Sequence, residues 1–366
     1  MTLDNLKAEN FRNIVSCDLS FAPGVNVLYG QNAQGKTNAL ECIYLFARGR
    51  SFRTAGEGEM VRFGEKGFCA EIAFSDLRRQ QTLSWRYYEG KRRRLRNGAE
   101  IERVGDMLGH FRAVLFCPDH LQLVKGGPEM RREFLNIAIS QQNGEYLKRY
   151  ALYKKILENR NYLLKSAQKN QYFDRDELDA WTRQMAHHAA YLSSVRQTYV
   201  RRIDGFARAI MHDLSDGKET LVCTYESDTP GETAEEREAN YLARYAAEQK
   251  REMQAGCSLV GIHRDDMALS VNGTDARSFA SQGQQRSVVL ALKMAEGEES
   301  REQSGEYPVF LFDDVLSELD ERRRAYVFSG AGERQFIVTS CEKDPFTSVN
   351  AIYVQGGAYV SSCGQR

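Results

Sequence analysis

The sequence predicts an α/β fold assembled from both ends of the chain, with a mainly helical insertion between them. Three observations carry that prediction. A glycine-rich loop, "GQNAQGKT" from Gly30 to Thr37, follows an apolar strand and precedes a helical pattern. A second apolar strand, in "YPVFLFDDV", ends in Asp313 and Asp314 near the other end of the chain. Between them, from about residue 128, apolar residues recur at helical spacing.

The first element is "LKAENFRNIVSCDLSFAPGVNVLYG", which alternates apolar and polar residues and closes in the apolar run Val25 to Tyr29. It reads as two or three strands, the last one buried. "TNALECIYLFARG" then carries helical periodicity. Residues 68 to 104 read as antiparallel strands, with a hairpin turning at Asn97-Gly98.

The insertion has its own pattern. Tyr146, Tyr150, Tyr153, Leu157 and Leu164 lie on one seam. Leu178, Trp181, Met185, His188, Leu192, Val195 and Tyr199 lie on another, repeating 3-4-3-4-3-4. Two helices joined near residues 169–177 are expected, either as a short antiparallel hairpin or as members of a bundle. At about 1.5 Å per residue the longer arm reaches on the order of 50 Å. His187 and His188 read as seam or surface residues. "SDTPGETAEERE" is a polar loop leading to a charged helix over 234–254, after which strands return. The expected division is 1–125, 126–257 for the helical lobe, and 258–366.

Composition bounds the partners. The 366 residues hold 50 Lys plus Arg and 50 Asp plus Glu, so any nucleic-acid surface must be a local patch. The beginning of the chain lacks a signal-peptide pattern, and no apolar run approaches the roughly 18 residues of a membrane span. The eight cysteines are scattered without a CxxC pair, which points away from a zinc site and towards a reducing cytoplasm.

"GQNAQGKT" fits G-x-x-x-x-G-K-[ST] in the strand–helix context that motif requires. Such a loop wraps β- and γ-phosphates with backbone N–H groups at a helix N-terminus. Gly30 and Gly35 permit the backbone path, and Gln31, Asn32, Ala33 and Gln34 line it. Lys36 is placed to reach the β/γ oxygens, and Thr37 to offer a hydroxyl to Mg²⁺. The strand before Asp313 reads as a Walker B element, with Asp313 holding Mg²⁺ and Asp314 polarising the attacking water.

A wide separation of these two elements, with helices between, resembles the ABC-type ATPase heads of SMC-like DNA-repair proteins. "SQGQQR" then stands in the place of that superfamily's signature motif and "LSELD" in the place of the D-loop. The blocks "LKAENFRNI", "GQNAQGKTNALECIYLFARGRSFRT", "FCPDHLQLVKGGPEMRREFLN", "GIHRDDM", "SQGQQRSVVLALKMAE" and "LFDDVLSELDERRR" resemble those of the bacterial RecF family, in that family's order. The resemblance covers residues 6 to about 345, and the absence of a long coiled coil distinguishes it from a full SMC protein.

That resemblance implies an SMC-like ATPase head with a helical inserted lobe, and ATP with Mg²⁺ as cofactors. It implies that Ser281, Gly283 and Gln284 cap the γ-phosphate of ATP held by the opposite subunit, so that two copies dimerise on two ATP molecules. Arg12 and Asn13 match an element that approaches the nucleotide, and Asn32, Asn38 and Asp320 are expected near the phosphates or the dimer seam. Gln122 is one candidate for the Q-loop. Arg264 and Asp265 read equally as site residues or as an internal ion pair, and His263 reads as structural. Two departures from the wider ABC pattern stand out. Asp314 replaces the usual Glu, and Thr339 or Ser340 stands where the switch His belongs. Both point to slow turnover.

The resemblance further implies binding to gapped double-stranded DNA, a weak DNA-dependent ATPase, and action with RecR, RecO and RecA in recombinational repair. Candidate phosphate contacts are Lys91, Arg92, Arg93, Arg94 and Arg96; then Arg48, Arg50 and Arg53; then Lys148, Arg149, Lys154 and Lys155. The alternatives are another ABC-type ATPase, such as a transporter subunit, and a non-catalytic DNA-binding scaffold with structural ATP. The basic hairpin and the absence of a membrane-coupling surface count against the first; the short carboxylate of Asp314 keeps the second open.

Overall fold

The computed structural model describes residues 1–54, 56–169, 174–341 and 350–361. They form two compact units: residues 1–121, 210–218 and 286–366, and residues 122–209 and 219–285.

The first unit holds two six-stranded sheets. One is antiparallel, built from β1 (Thr2–Phe11), β2 (Ile14–Ser20), β4 (Gly67–Ser75), β5 (Gln80–Tyr88), β6 (Lys91–Arg96) and β7 (Ala99–Glu100), in the order β2-β1-β4-β5-β6-β7. Its last hairpin turns at Asn97 and Gly98, both with positive φ, as a two-residue type I′ turn demands.

The other sheet combines β3 (Val25–Tyr29), β8 (Ala113–Phe116), β12 (Val309–Phe312), β13 (Phe336–Ser340), β14 (Asn350–Gln355) and β15 (Ala358–Ser361), in the order β15-β14-β3-β13-β12-β8. All its pairings are parallel except β14 with β15. The strands β8 and β12 are buried throughout, as parallel strands covered on both faces must be. Because β13 lies between β3 and β12, the carboxyl ends of three strands from opposite ends of the chain open side by side. A ligand crevice belongs at such a place.

The second unit contains helices Gly144–Gln168 and Ala234–Ala255, most of the 40-residue helix Arg175–Leu214, and a small sheet of β9 (Leu221–Glu226), β10 (Asp266–Val271) and β11 (Thr274–Asp275). The first two seams meet in antiparallel fashion. Arg160 donates to Thr182 (2.9 Å), Arg196 donates to the Tyr146 hydroxyl (2.9 Å), and Leu163, Leu164 and Leu178 share a cluster. A free-standing two-helix arm is not what forms, however. Helix Ala234–Ala255 packs on the same core: Met253 joins that leucine cluster, and Glu252 pairs with the fully buried Arg160 at 2.6 Å. A buried guanidinium needs such a partner, and only a third helix supplies it. The joint read at 169–177 lies partly outside the described residues.

This unit runs on to Gln285 where the sequence reading placed a boundary at 257. The reason is strand pairing: β10 joins β9 along six residues. Of the two even readings for Arg264 and Asp265, the internal pair is not among the contacts observed: Arg131 pairs with Asp266 (2.7 Å), and buried Asp265 accepts from the Tyr225 hydroxyl. His263 is structural in its contacts, bonded to Tyr153 through Nδ1 at 2.8 Å.

Candidate nucleotide site

The loop between β3 and helix Lys36–Arg48 forms one wall of a cavity of about 270 Å³. Asn32, Ala33, Gly35, Lys36, Thr37, Asn38, Arg53, Asp314 and Thr339 line it. Gly35 is the helix N-cap at φ 113°, and an added Cβ there would lie 2.7 Å from Asn13 Oδ1. Only glycine fits both constraints. The Lys36 ammonium, almost fully buried, donates to the carbonyls of Gly30 and Gln31, the latter at 3.0 Å.

The two halves read from sequence meet here. Thr37 Oγ1 donates to Asp313 Oδ1 at 2.9 Å across 276 residues of chain. The hydroxyl of Thr339 donates to the same oxygen at 2.9 Å and accepts the Asp314 N–H at 2.8 Å. Burial raises the Asp313 carboxyl above its ordinary range, and the two hydroxyl donors oppose that shift. Asp314 is exposed to the cavity with φ 53°, a left-handed backbone that Asp tolerates better than most residues. Thr339 and Ser340 were equal candidates in the sequence. The strand alternation of β13 gives Thr339 the side-chain role, and Ser340 supplies a carbonyl to the Gly30 N–H at 3.2 Å.

Mg²⁺ takes oxygen donors and usually keeps several for water and phosphate. The Thr37 hydroxyl and Asp313 carboxylate are such a pair, so the donor set fits. Among the described residues, no cluster of three or more His, Cys, Asp or Glu side chains offers a competing metal site.

Other candidates fall around the loop. Asn13 accepts from Asn38 (2.7 Å) and donates to the Gln34 carbonyl (3.2 Å), which ties β1–β2 to the phosphate loop. Asn32 Oδ1 accepts from the Cys341 thiol at 2.9 Å. Arg12 does not line the cavity; it forms a two-pronged pair with Glu41 (3.0 and 2.5 Å). Glu41 is fully buried and also holds Arg53 at 3.4 Å. Arg53 in turn reaches Asn38 at 2.8 Å and lines the cavity. Sequence reasoning had grouped Arg53 with the DNA-facing basics. The signal that could have moved it was its place on the loop just after the phosphate-loop helix.

Ser281, Gly283 and Gln284 belong to the second unit and open helix Gln282–Ser304. Ser281 Oγ accepts the Gln284 N–H at 3.2 Å, and Gln284 Oε1 accepts the Ser281 N–H at 2.8 Å. That is a reciprocal capping box. Ser281 itself is exposed. Asp320 caps helix Glu321–Ser329 by accepting from Arg323 N–H at 2.9 Å. Gln122 is exposed at the start of the second unit.

The basic clusters divide. Arg94 is 6 % exposed, lies 4.2 Å over the Trp85 ring and pairs with Glu57 at 3.0 Å. It therefore packs the sheet and is not available to phosphate. The cause is β-strand alternation, which turns Arg94 inwards opposite Trp85. Arg92 and Arg93 pair with Glu57 (2.7 Å) and Glu100 (3.5 Å), and Arg96 is held by Gln81. Arg149 pairs with Glu145 (2.6 Å) and stacks on Tyr191. Lys148, Lys154 and Lys155 stand exposed on helix Gly144–Gln168.

Comparison with known proteins now decides the family. The model of the RecF/RecN/SMC N-terminal domain matches residues 2–356. The DNA replication and repair protein RecF of Geobacillus thermodenitrificans is 38 % identical, with 94 % of each chain covered. That of Listeria welshimeri is 35 % identical over 99 % of this chain and 100 % of its own. The chain belongs to the RecF family. A solved structure of the recombination mediator RecF with ATPrS in the RecFOR pathway superposes with a TM-score of 0.93 at 31 % identity, covering 99 % of this chain and 98 % of that one. The Smc head domain of Pyrococcus furiosus, at 16 % identity and a TM-score of 0.56, shares the fold. The RecF family fold is thus an ABC-type ATPase head, as the wide spacing of the two phosphate-site elements predicted. Among the described residues, no helix is long and apolar enough to cross a membrane.

Proposed function

We propose that this chain is an ATP-driven DNA-repair switch, in which Mg-ATP bound at the Gly30–Thr37 loop is completed by Ser281, Gly283 and Gln284 of a second copy. The observation that carries the reading is the Thr37–Asp313 contact beside buried Lys36. It joins the two phosphate-site elements from opposite ends of the sequence. The relatives described as RecF with ATP or ATPrS support the nucleotide.

Lys36 exchanges its bonds to loop carbonyls for β- and γ-phosphate oxygens. Mg²⁺, held by Thr37 and Asp313, would supply charge neutralisation at those phosphates. Asp314 faces the cavity and accepts a proton from, or orients, the attacking water. Its side chain is one methylene shorter than Glu, and turnover is slow for that reason. Thr339 fixes both acids through one hydroxyl. The bound triphosphate holds two copies together, and hydrolysis releases them.

The same reading assigns binding of gapped double-stranded DNA, with Lys148, Lys154 and Lys155 as the exposed contacts, and action with RecR and RecO in loading RecA. The similar RecF of the RecFOR pathway supports RecO and RecR as partners. A paired assay tests the whole: ATP turnover with and without gapped duplex, in the wild type, Lys36→Arg and Asp314→Asn. A switch loses turnover in both variants, while Asp314→Asn still dimerises on ATP. A scaffold with structural ATP keeps DNA binding and shows no DNA-stimulated turnover in any of them.

A further inference from the structure

We propose that the C-terminal hairpin β14–β15 sets the orientation of the phosphate-binding loop, with Tyr359 as a positioning residue for nucleotide. The inference rests on the ATP reading above and deepens it. The Walker pattern contains no hint of this hairpin, which comes from the far end of the chain.

In a trans peptide, the C=O of one residue and the N–H of the next point in opposite directions. Whatever fixes the Gln34 carbonyl outwards therefore fixes the Gly35 N–H inwards. Whatever holds the Gly35 carbonyl likewise aims the Lys36 N–H. These amides belong to the stretch that such a loop presents to phosphate.

The hairpin grips both peptides. Gly357 N–H donates to the Gln34 carbonyl at 2.9 Å. Gly356 N–H donates to Gln34 Oε1 at 2.6 Å. The Tyr359 hydroxyl donates to the Gly35 carbonyl at 2.9 Å. The Gly35 carbonyl also accepts from the Asn38 and Ala39 N–H groups at 3.0 and 3.3 Å, so Tyr359 adds a donor from outside the helix. The strand β14 pairs in parallel with β3 up to Tyr353 opposite Tyr29, which delivers the turn to the level of the loop.

Contact is close enough to exclude side chains. A Cβ on Gly357, at φ 80°, would lie 2.3 Å from the Asn13 carbonyl oxygen. One on Gly30 would lie 2.2 Å from the carbonyl oxygen of Val354. The loop needs outside support, because Ala33 (φ 64°) and Gly35 (φ 113°) hold left-handed backbone. Burial keeps the Tyr359 phenol protonated, so its hydroxyl remains a donor over the working pH range.

Three full-length chains decide the matter: wild type, Tyr359→Phe and Gln34→Ala. Mg-ATP binding is measured by calorimetry and steady-state turnover by phosphate release. Amide hydrogen exchange over Gly30–Thr37 is followed without nucleotide. Losing the hydroxyl should weaken ATP binding about fivefold and raise KM by the same factor, with kcat changed less than about twofold. Exchange in the loop should quicken while the nucleotide-free melting temperature stays put. Gln34→Ala, which loses the Gly356 contact and the long 3.4 Å bond from its own amide to the Asn32 carbonyl, should show the same pattern at about twofold. It also serves if the phenylalanine variant does not fold. Unchanged binding and unchanged loop exchange in both variants would overturn the inference. A wild-type chain that binds no ATP contradicts the earlier reading instead, and the exchange data still decide whether the hairpin fixes the loop.

Discussion

At the start of helix Lys36–Arg48, groups from distant parts of the chain converge: Asn13, Asp313, Thr339 and Tyr359 all touch the loop, its helix or their partners. At the start of helix Gln282–Ser304, two polar side chains cap one another instead. Ser281 and Gln284 cap each other, and Gln284 also donates to Glu219 at 2.9 Å. The first helix start is a finished pocket wall with buried charge. The second is an exposed cap in which Ser281 and Gln284 bond each other and Gln284 also bonds Glu219. The first helix start thus gathers more contacts from distant parts of the chain than the second, and the reading proposed above, phosphate at the first and a second copy's pocket over the second, rests on that difference.

Perturbations at five places sharpen or break the account, the largest effects on turnover first. Asp313→Ala should lower turnover by roughly a thousandfold, because it removes the carboxylate that pairs with Thr37; phosphate release under saturating ATP measures it. The milder Asp313→Asn should be equally inactive yet raise the melting temperature of the nucleotide-free chain. Burial lifts this carboxyl's pKa in the folded state, so its ionised form at neutral pH costs stability that the neutral amide avoids.

Asp314→Asn should slow turnover by about a hundredfold while leaving the ATP-bound dimer intact, and light scattering beside the turnover assay separates the two. Third, Arg94→Ala should cost about 2 kcal/mol of stability through lost stacking on Trp85 and an orphaned Glu57, without altering the salt dependence of DNA binding. Replacing Lys148, Lys154 and Lys155 together should do the reverse, reducing the slope of log affinity against log salt by roughly 3.

A pH effect on stability concerns the unit that carries Ser281. Burial lowers the His263 pKa to about 4, so this ring stays neutral in the folded chain while an unfolded one protonates near 6.5. Stability should therefore fall as pH drops from about 6.5 towards 4, by about 3 kcal/mol, and level off below. Denaturant melts of wild type and His263→Gln across that range read it.

Much of the phosphate site was legible because its signals are local. A loop of eight residues in strand–helix context and a buried strand ending in two Asp each carry their own chemistry. Arg53 and Arg94 were misplaced because charge composition does not show which way a side chain points. Alternation in β6 buries Arg94, and Glu41, a carboxylate inside a helix, recruits Arg53. Thr339 was visible only as one of two residues at a place where a His was missing. Tyr359 left no trace in the pattern, since its contact spans 324 residues and depends on the sheet order β14-β3-β13. The third helix of the second unit was read only as a charged helix. Its buried face, with Tyr241, Tyr245 and Glu252, is what turns a two-helix arm into a core.

Sedimentation velocity of the full chain, with and without Mg-ATP, tests most directly whether the exposed Ser281 cap completes a second copy's pocket. The wild type should shift from monomer to dimer on adding nucleotide, and Ser281→Arg should remain monomeric while still binding ATP. A wild type that stays monomeric at saturating Mg-ATP, or a Ser281→Arg variant that dimerises as readily, would contradict the account.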